Sequence, residues 1–258
     1  MTSMNYLIST YAGISRKRET YDKGLTPSIL QKHLAQLIKL LPTTTMIKQV
    51  TIMRPSTENV KTYDIYYKID EYVTTIEKMY GIPVKFVDMK NYEYGVSYSQ
   101  YRQAFAEYPD FDLYIVMEDD WVPLQERFDE LLLAEWKKQF QSVKDKGYLC
   151  MWYTDVEPHA SISVGMISQS AFLTFVLSFP IHIEFNQFDF SKQFEKLGVR
   201  VCDYSDHGKN WRILFWDSSC GKIFDFYKCK ESTECLLAPL HYLYKDQFGF
   251  VIEPRWQN

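Results

Sequence analysis

No window of this sequence approaches the roughly 20 uninterrupted apolar residues that a membrane-spanning helix needs, so no integral membrane segment is expected. The short apolar run at residues 5–12 leads into Arg16, Lys17, Arg18 and Glu19 instead of a small-residue cleavage site, so no secretory signal is read there. Cysteine is scarce and lopsided: Cys150, Cys202, Cys220, Cys229 and Cys235 all fall in the second half, with no CxxC pair. That pattern fits reduced thiols rather than a disulfide framework, and no His or Cys spacing resembles a zinc finger. Excess positive charge is missing as well. Lys and Arg number 29 against 33 Asp and Glu, a formal net charge of −4. Non-specific binding to duplex nucleic acid depends on clustered cation, so a nucleic-acid partner is not expected. An anionic small molecule held by a metal ion and a few basic side chains stays compatible with this balance. There is no G-x-S-x-G element of the serine hydrolases, no internal repeat and no low-complexity linker. The chain reads as soluble and cytoplasmic.

What is present suits one sizeable α/β domain. The 258 residues are 46% apolar and 24% charged, close to the globular average. Strand and helix signals alternate through the first half. Tyr6–Tyr11 is a short buried-strand pattern running into Ala12-Gly13. Thr26 and Pro27 make a helix start, Ile29, Leu30, Leu34, Leu37, Ile38 and Leu41 follow helical spacing, and Pro42 stops it. Ile47–Met53 is a second strand, Asp64–Tyr80 a helix closed by Gly81, Val84–Val87 a third strand, and Tyr98–Tyr108 a further helix. Leu113–Met117 is a fully apolar strand. Such repeats imply parallel strands covered by helices, whose ligands sit at the C-terminal strand ends. Beyond it the spacing predicts a helix over Phe128–Phe140, strands at Tyr148–Tyr153 and Ser161–Ile167, and a short helix over Ser170–Leu177. It then predicts a helix over Asp189–Leu197 and a strand at Val199–Asp203, before an irregular C-terminal portion.

Glu118, Asp119 and Asp120 follow the apolar strand at once. Three adjacent carboxylates repel one another, and a buried strand directly before them limits solvent screening. A divalent cation relieves that repulsion, because Mg²⁺ and Mn²⁺ take oxygen ligands and share their remaining positions with phosphates.

The segment Tyr114–Asp120 resembles the "apolar strand then DxD" element of nucleotide-sugar glycosyltransferases with the GT-A fold, most nearly their large family-2-like group. Other segments fall in the order that family shows. Leu7–Tyr11 is similar to its first strand and nucleotide-contacting loop, and Gly95–Ala106, with Ser97, Gln100 and Arg102, to the helix preceding the acidic motif. Ser163–Phe172 resembles the acceptor-side strand, Glu184–Val201 the helix carrying the catalytic carboxylate, and Asp206-His207-Gly208 the segment after the last core strand. The sequence departs from the family at three places. Glu118 replaces the first Asp, Asn186 and Gln187 stand where a Glu-Asp pair is expected, and Arg54-Pro55-Ser56-Thr57 replaces the acid after the second strand.

The resemblance implies a GT-A-like, Rossmann-like fold: a mostly parallel mixed sheet flanked by helices, with an irregular C-terminal portion. It implies one domain over 1–258, with a nucleotide-sugar-binding half (1–120), an acceptor half (121–210) and a C-terminal extension (211–258). It also implies transfer of a sugar from a nucleoside-diphosphate sugar to a hydroxyl of a glycan or other acceptor. Asp120, with Glu118 or Asp119, would hold Mn²⁺ or Mg²⁺ against both phosphates and neutralise the leaving group. A remaining acid would accept a ribose hydroxyl. His207 would complete the metal site or touch a phosphate, and Thr10, Tyr11, Arg16 and Arg102 would line the donor. An inverting reaction, the commoner outcome in that group, needs a carboxylate base; Asp189 comes first and Glu184 second. Trp152, Asp155 and His159 would line an acceptor groove. Two alternatives remain at this point. A metal-dependent nucleotidyltransferase uses a related acidic site but normally a glycine-rich phosphate loop, and Tyr11–Ser15 holds one glycine. A catalytically inactive glycan- or nucleotide-binding scaffold of the same fold would explain the missing Glu-Asp pair.

Overall fold

A computed structural model describes residues 2–10, 29–54, 69–88, 96–119, 121–123, 125–150, 153–154, 159–160, 164–178, 198, 200–203, 216–217, 222–223 and 237–239. Its centre is a seven-stranded sheet, built from β1 (Met4–Ser9), β2 (Ile47–Arg54), β3 (Val84–Asp88), β4 (Leu113–Glu118), β6 (Gly147–Cys150), β9 (Val164–Ser168) and β10 (Arg200–Asp203). The order across the sheet is β10-β6-β9-β4-β1-β2-β3. β1 pairs parallel with both β2 and β4, β2 with β3, and β6 with β10, whereas β9 runs antiparallel to β4 and to β6. β9 is therefore the one reversed strand of this sheet. The mostly parallel mixed sheet flanked by helices is the architecture expected from the sequence.

The helices form because apolar residues recur at helical spacing and stop at clear signals. In α1 (Ile29–Leu40), Leu30, Leu34 and Leu37 are buried on one face, and the chain tightens into a 3₁₀ turn at Leu41–Thr43 around Pro42. α2 (Asp70–Tyr80) ends at Gly81, whose φ of 65° lets its N–H bond the Glu77 carbonyl. α3 (Val96–Glu107) leads to β4, and α5 (Gln169–Ser178) follows β9. α4 (Phe128–Gln139) carries Asp129 and Glu130 in its first turn and Lys137 and Lys138 in its last, as the helix dipole favours.

Strand alternation divides the core in two. Met4, Tyr6 and Ile8 face a cluster with Leu34 of α1, Ile76 of α2 and Phe128 and Trp136 of α4. Leu7, Val116 and Tyr114 face the opposite cluster with Tyr101 and Phe105 of α3 and Phe172 of α5. There Phe105 stacks on Phe172 at 4.7 Å between ring centres, and Tyr114 meets Phe172 edge-on at 5.1 Å.

Some expectations shift. Of the helix predicted over Asp64–Tyr80, the structure describes Asp70–Tyr80, with Ile69 at its N-cap; residues 55–68 lie outside the described set. The strand predicted over Tyr148–Tyr153 ends at Cys150, the last residue to pair with β9, and Tyr153–Thr154 (β7) pairs instead with His159–Ala160 (β8) as a separate antiparallel ribbon. The predicted helix over Asp189–Leu197 lies outside the described residues. From the C-terminal portion come a small ribbon, Trp216–Asp217 (β11) with Lys222–Ile223 (β12), and Leu237–Pro239 (β13). β13 pairs antiparallel with β5 (Trp121–Pro123), so Leu237–Pro239 lie beside the strand that follows the acidic turn. Among the described residues, no helix is long and apolar enough to cross a membrane.

Candidate functional site

The C-terminal ends of β1, β2 and β4 are level with one another: Ser9 stands opposite Met53 on one side and Glu118 on the other. Past these ends the backbone must leave the sheet, and each peptide group there needs a new partner. The described residues supply them from three elements.

Gln100 of α3 is fully buried and clasps the end of β1. Its Oε1 accepts from Ser9 Oγ at 2.7 Å and from the Thr10 N–H at 3.1 Å, while its Nε2 donates to the Thr10 carbonyl at 2.7 Å. One side-chain amide thus pairs with Thr10 as a neighbouring strand would. The Thr10 hydroxyl donates to the Met53 carbonyl at 2.6 Å, tying β1 to β2. β1 therefore ends in a fixed geometry.

The acidic turn is held from two directions. The Asp119 N–H donates to the Ser9 carbonyl at 2.9 Å. The Asp119 carbonyl lies 3.0 Å from His33 Nδ1, and His33 Nε2 lies 3.0 Å from the Tyr6 hydroxyl. A carbonyl only accepts, so Nδ1 carries the proton and Nε2 accepts from Tyr6. Burial drives the His33 pKa down to about 4, against the opposing pull of the Asp119 carbonyl and carboxylate, so the imidazole is neutral at physiological pH. Burial likewise raises the Tyr6 phenol well above its ordinary range, which keeps it a donor.

Among the site residues expected from sequence, the fold brings together Thr10, Glu118 and Asp119. Thr10 is buried, with its hydroxyl engaged by the protein; Glu118 is half-buried at the end of β4; Asp119 is only 1% exposed. Arg102 sits half-buried on α3, two residues beyond Gln100, and burial lowers its pKa without bringing a guanidinium near neutrality. His159 lies on β8, opposite Thr154 in the separate β7–β8 ribbon. Tyr11, Arg16, Asp120, Trp152, Asp155, Glu184, Asp189 and His207 lie outside the described residues. Among the described residues there is no group of three or more His, Cys, Asp or Glu placed to hold a metal ion.

Arg54, the last residue of β2, has a carboxylate beside it on the edge strand β3. Arg54 forks onto Asp88 at the end of β3, with Nε to Oδ1 at 2.7 Å and Nη2 to Oδ2 at 2.8 Å, and lies over the Phe86 ring at 4.5 Å.

Tyr6 and His33 escape a reading of the sequence alone. The available signal is a histidine inside the apolar stripe of α1, one residue before Leu34, where a buried polar side chain must find a partner. That partner is 86 residues away and is a backbone atom, which no residue pattern reports.

No protein-family model matches the chain, and no curated protein is significantly similar to it. Among solved structures it is similar to HddC from Yersinia pseudotuberculosis, with a TM-score of 0.43 and 9% identity over 78% of this chain and 90% of that one. A galactosyltransferase, LgtC, in complex with donor and acceptor sugar analogues gives a TM-score of 0.42 and 12% identity, over 96% of this chain and 84% of that one. UDP-glucose pyrophosphorylase complexed with UDP-glucose gives 0.40 and 9%, over 76% and 88%. Likeness at this level leaves any function to be argued from the chain's own residues.

Proposed function

We propose that this protein is a metal-dependent glycosyltransferase, moving a sugar from a nucleoside-diphosphate sugar to a hydroxyl of a glycan or other acceptor. The observation carrying this reading is an acidic turn held at the C-terminal edge of adjacent parallel strands, where ligands of open α/β sheets bind. Glu118 and Asp119 offer the oxygen donors that Mg²⁺ and Mn²⁺ prefer, and the turn leads directly into Asp120. The ion would be held by Asp120 with Glu118 or Asp119, and by His207 as a further ligand. It would supply positive charge against the two phosphates as the nucleotide leaves. Tyr11, Arg16 and Arg102 would add donor contacts; Trp152, Asp155 and His159 would form the acceptor side. Asp189, or else Glu184, would take the acceptor proton in an inverting displacement, where that hydroxyl attacks the anomeric carbon and the nucleoside diphosphate departs.

The absence of the Glu-Asp pair at Asn186 and Gln187 favours a second reading, an inactive scaffold that binds nucleotide without turnover. One experiment separates the two. Thermal stability is measured with UDP, GDP, dTDP and CMP, each with and without Mn²⁺, for wild type and Asp120→Asn. Binding at a hundredfold excess over Kd stabilises the native state by about 2.7 kcal/mol. The expected result is a shift for one nucleotide that requires Mn²⁺ and Asp120 and is abolished by EDTA, with slow release of that nucleotide from its sugar conjugate. Binding without release supports the scaffold; no shift with any nucleotide removes the glycosyltransferase reading and leaves a scaffold that binds glycan alone.

A further inference from the structure

We infer that His33, held by Tyr6, is a positioning residue for the acidic turn: it fixes the peptide bond that leads from Asp119 into Asp120. This role rests on the proposed metal-nucleotide site and deepens it. The Asp119 carbonyl and the Asp120 nitrogen belong to one rigid peptide plane. Clamping the carbonyl therefore sets the direction in which the chain enters Asp120. His33 Nδ1 makes that clamp at 3.0 Å, from a helix on one face of the sheet. The Asp119 N–H, on the other peptide plane of the same residue, is clamped by Ser9 at 2.9 Å. Both planes flanking Asp119 are thus held, one by α1 and one by β1.

Two features point to orientation rather than simple filling of space. The first is placement. His33 interrupts the leucine stripe of α1, yet both of its ring nitrogens are satisfied, one by the acidic turn and one by Tyr6 in the middle of β1. A leucine there would fill similar volume and make neither bond. The second is directionality. The Tyr6 hydroxyl donates to Nε2, which leaves the proton on Nδ1, facing the carbonyl. Turning the Asp119 peptide over would strand a buried donor on His33. The Tyr6–His33 pair is thus a one-way clamp, behind acids that would face a cation. Outer partners of this kind tune the affinity of ligating groups they never replace.

The test measures Mn²⁺ affinity by the EPR signal of free Mn²⁺, in the presence of UDP or GDP, for wild type, His33→Leu, His33→Asn and Tyr6→Phe. Near-UV circular dichroism and cooperative unfolding report whether each variant is folded. Asparagine can present a donor close to the Nδ1 position, whereas leucine cannot. His33→Leu is expected to weaken Mn²⁺ binding by about tenfold or more, as loss of a group that orients a ligand does. His33→Asn should return affinity to near the wild-type value, and Tyr6→Phe should fall between. Rescue by asparagine is an effect that lost packing alone would not produce. Should His33→Leu not fold, Tyr6→Phe and His33→Asn carry the decision. Equal affinity in wild type, His33→Leu and Tyr6→Phe overturns the positioning role while leaving the metal site standing. Failure of wild type itself to bind Mn²⁺ with either nucleotide is a different result: it removes the proposed site and this role together.

Discussion

Asp129 offers the clearest stability test in the molecule. It is fully buried in the first turn of α4, and its carboxylate reaches across the fold to the loop that enters β2. Oδ2 accepts from the Thr45 N–H and the Met46 N–H, both at 2.8 Å, and Oδ1 accepts from the Glu130 N–H at 2.9 Å. Neighbouring ties run the same way, from the Arg127 N–H to Thr43 Oγ1 at 2.8 Å and from Thr45 Oγ1 to Glu130 at 3.2 Å. In Asp129→Ala the buried Met46 N–H loses its acceptor, which costs about 2 kcal/mol, and the more exposed Thr45 N–H adds about 1 kcal/mol. The higher helix propensity of alanine returns at most about 0.5 kcal/mol. The net loss is thus about 2.5 kcal/mol, or a fall in Tm of roughly 5–10 °C for a chain of this size. Asp129→Asn keeps the shape and one acceptor and should lose about half as much, since the bonds become neutral ones. Urea unfolding and calorimetry on wild type and both variants would measure this. If Asp129→Ala lies within about 0.5 kcal/mol of wild type, the carboxylate is not tying α4 to β2 and the account fails.

Two further outcomes follow from particular atoms. A Cβ on Gly165 would lie 2.5 Å from the Tyr148 hydroxyl and 2.8 Å from the Leu149 carbonyl oxygen, in the middle of the sheet. Gly165→Ala should therefore destabilise by about 1–3 kcal/mol, whereas a substitution at an open surface position should change little; urea unfolding of each would decide. The buried His33 binds its proton at about pH 4 in the folded state and near pH 6.5 when unfolded, so the unfolded chain holds more protons between those values. This residue's contribution is complete above pH 6.5 and is lost as pH falls toward 4, by ~3 kcal/mol in all. The stability–pH curve of His33→Asn should be flatter across that window, and an unchanged slope would show that His33 does not titrate as buried.

How far the sequence alone reaches depends on whether a feature is local. The run Leu113–Met117, the leucine spacing of α1 and the glycine after α2 announce their elements, because each depends on residues within a turn or two. The acids beyond β4 are equally visible. The reversal of β9 is not, since a five-residue apolar strand pairs with neighbours in either direction. Nor is the order of strands on that side of the sheet. The clasp by Gln100 and the clamp by His33 are least legible, because both act on backbone atoms of residues distant in sequence. A glutamine and a histidine on helix faces carry no mark of that. What the sequence does supply is the anomaly, a polar residue where the periodicity calls for an apolar one.

The reversed strand has a consequence for how this protein can be altered. Because β9 runs against both neighbours, the chain leaves the sheet at Cys150 and re-enters at Val164 along the same edge, with Cys150 directly opposite Gly165 and Val164 opposite Met117. The intervening excursion, which contains the β7–β8 ribbon, thus springs from two anchor points on adjacent strands. Closing a loop between fixed ends costs only weakly more as it lengthens. Lengthening the excursion is therefore expected to cost the sheet little. Urea unfolding of chimeras that exchange the segment between Cys150 and Val164 would measure how far the sheet is independent of it.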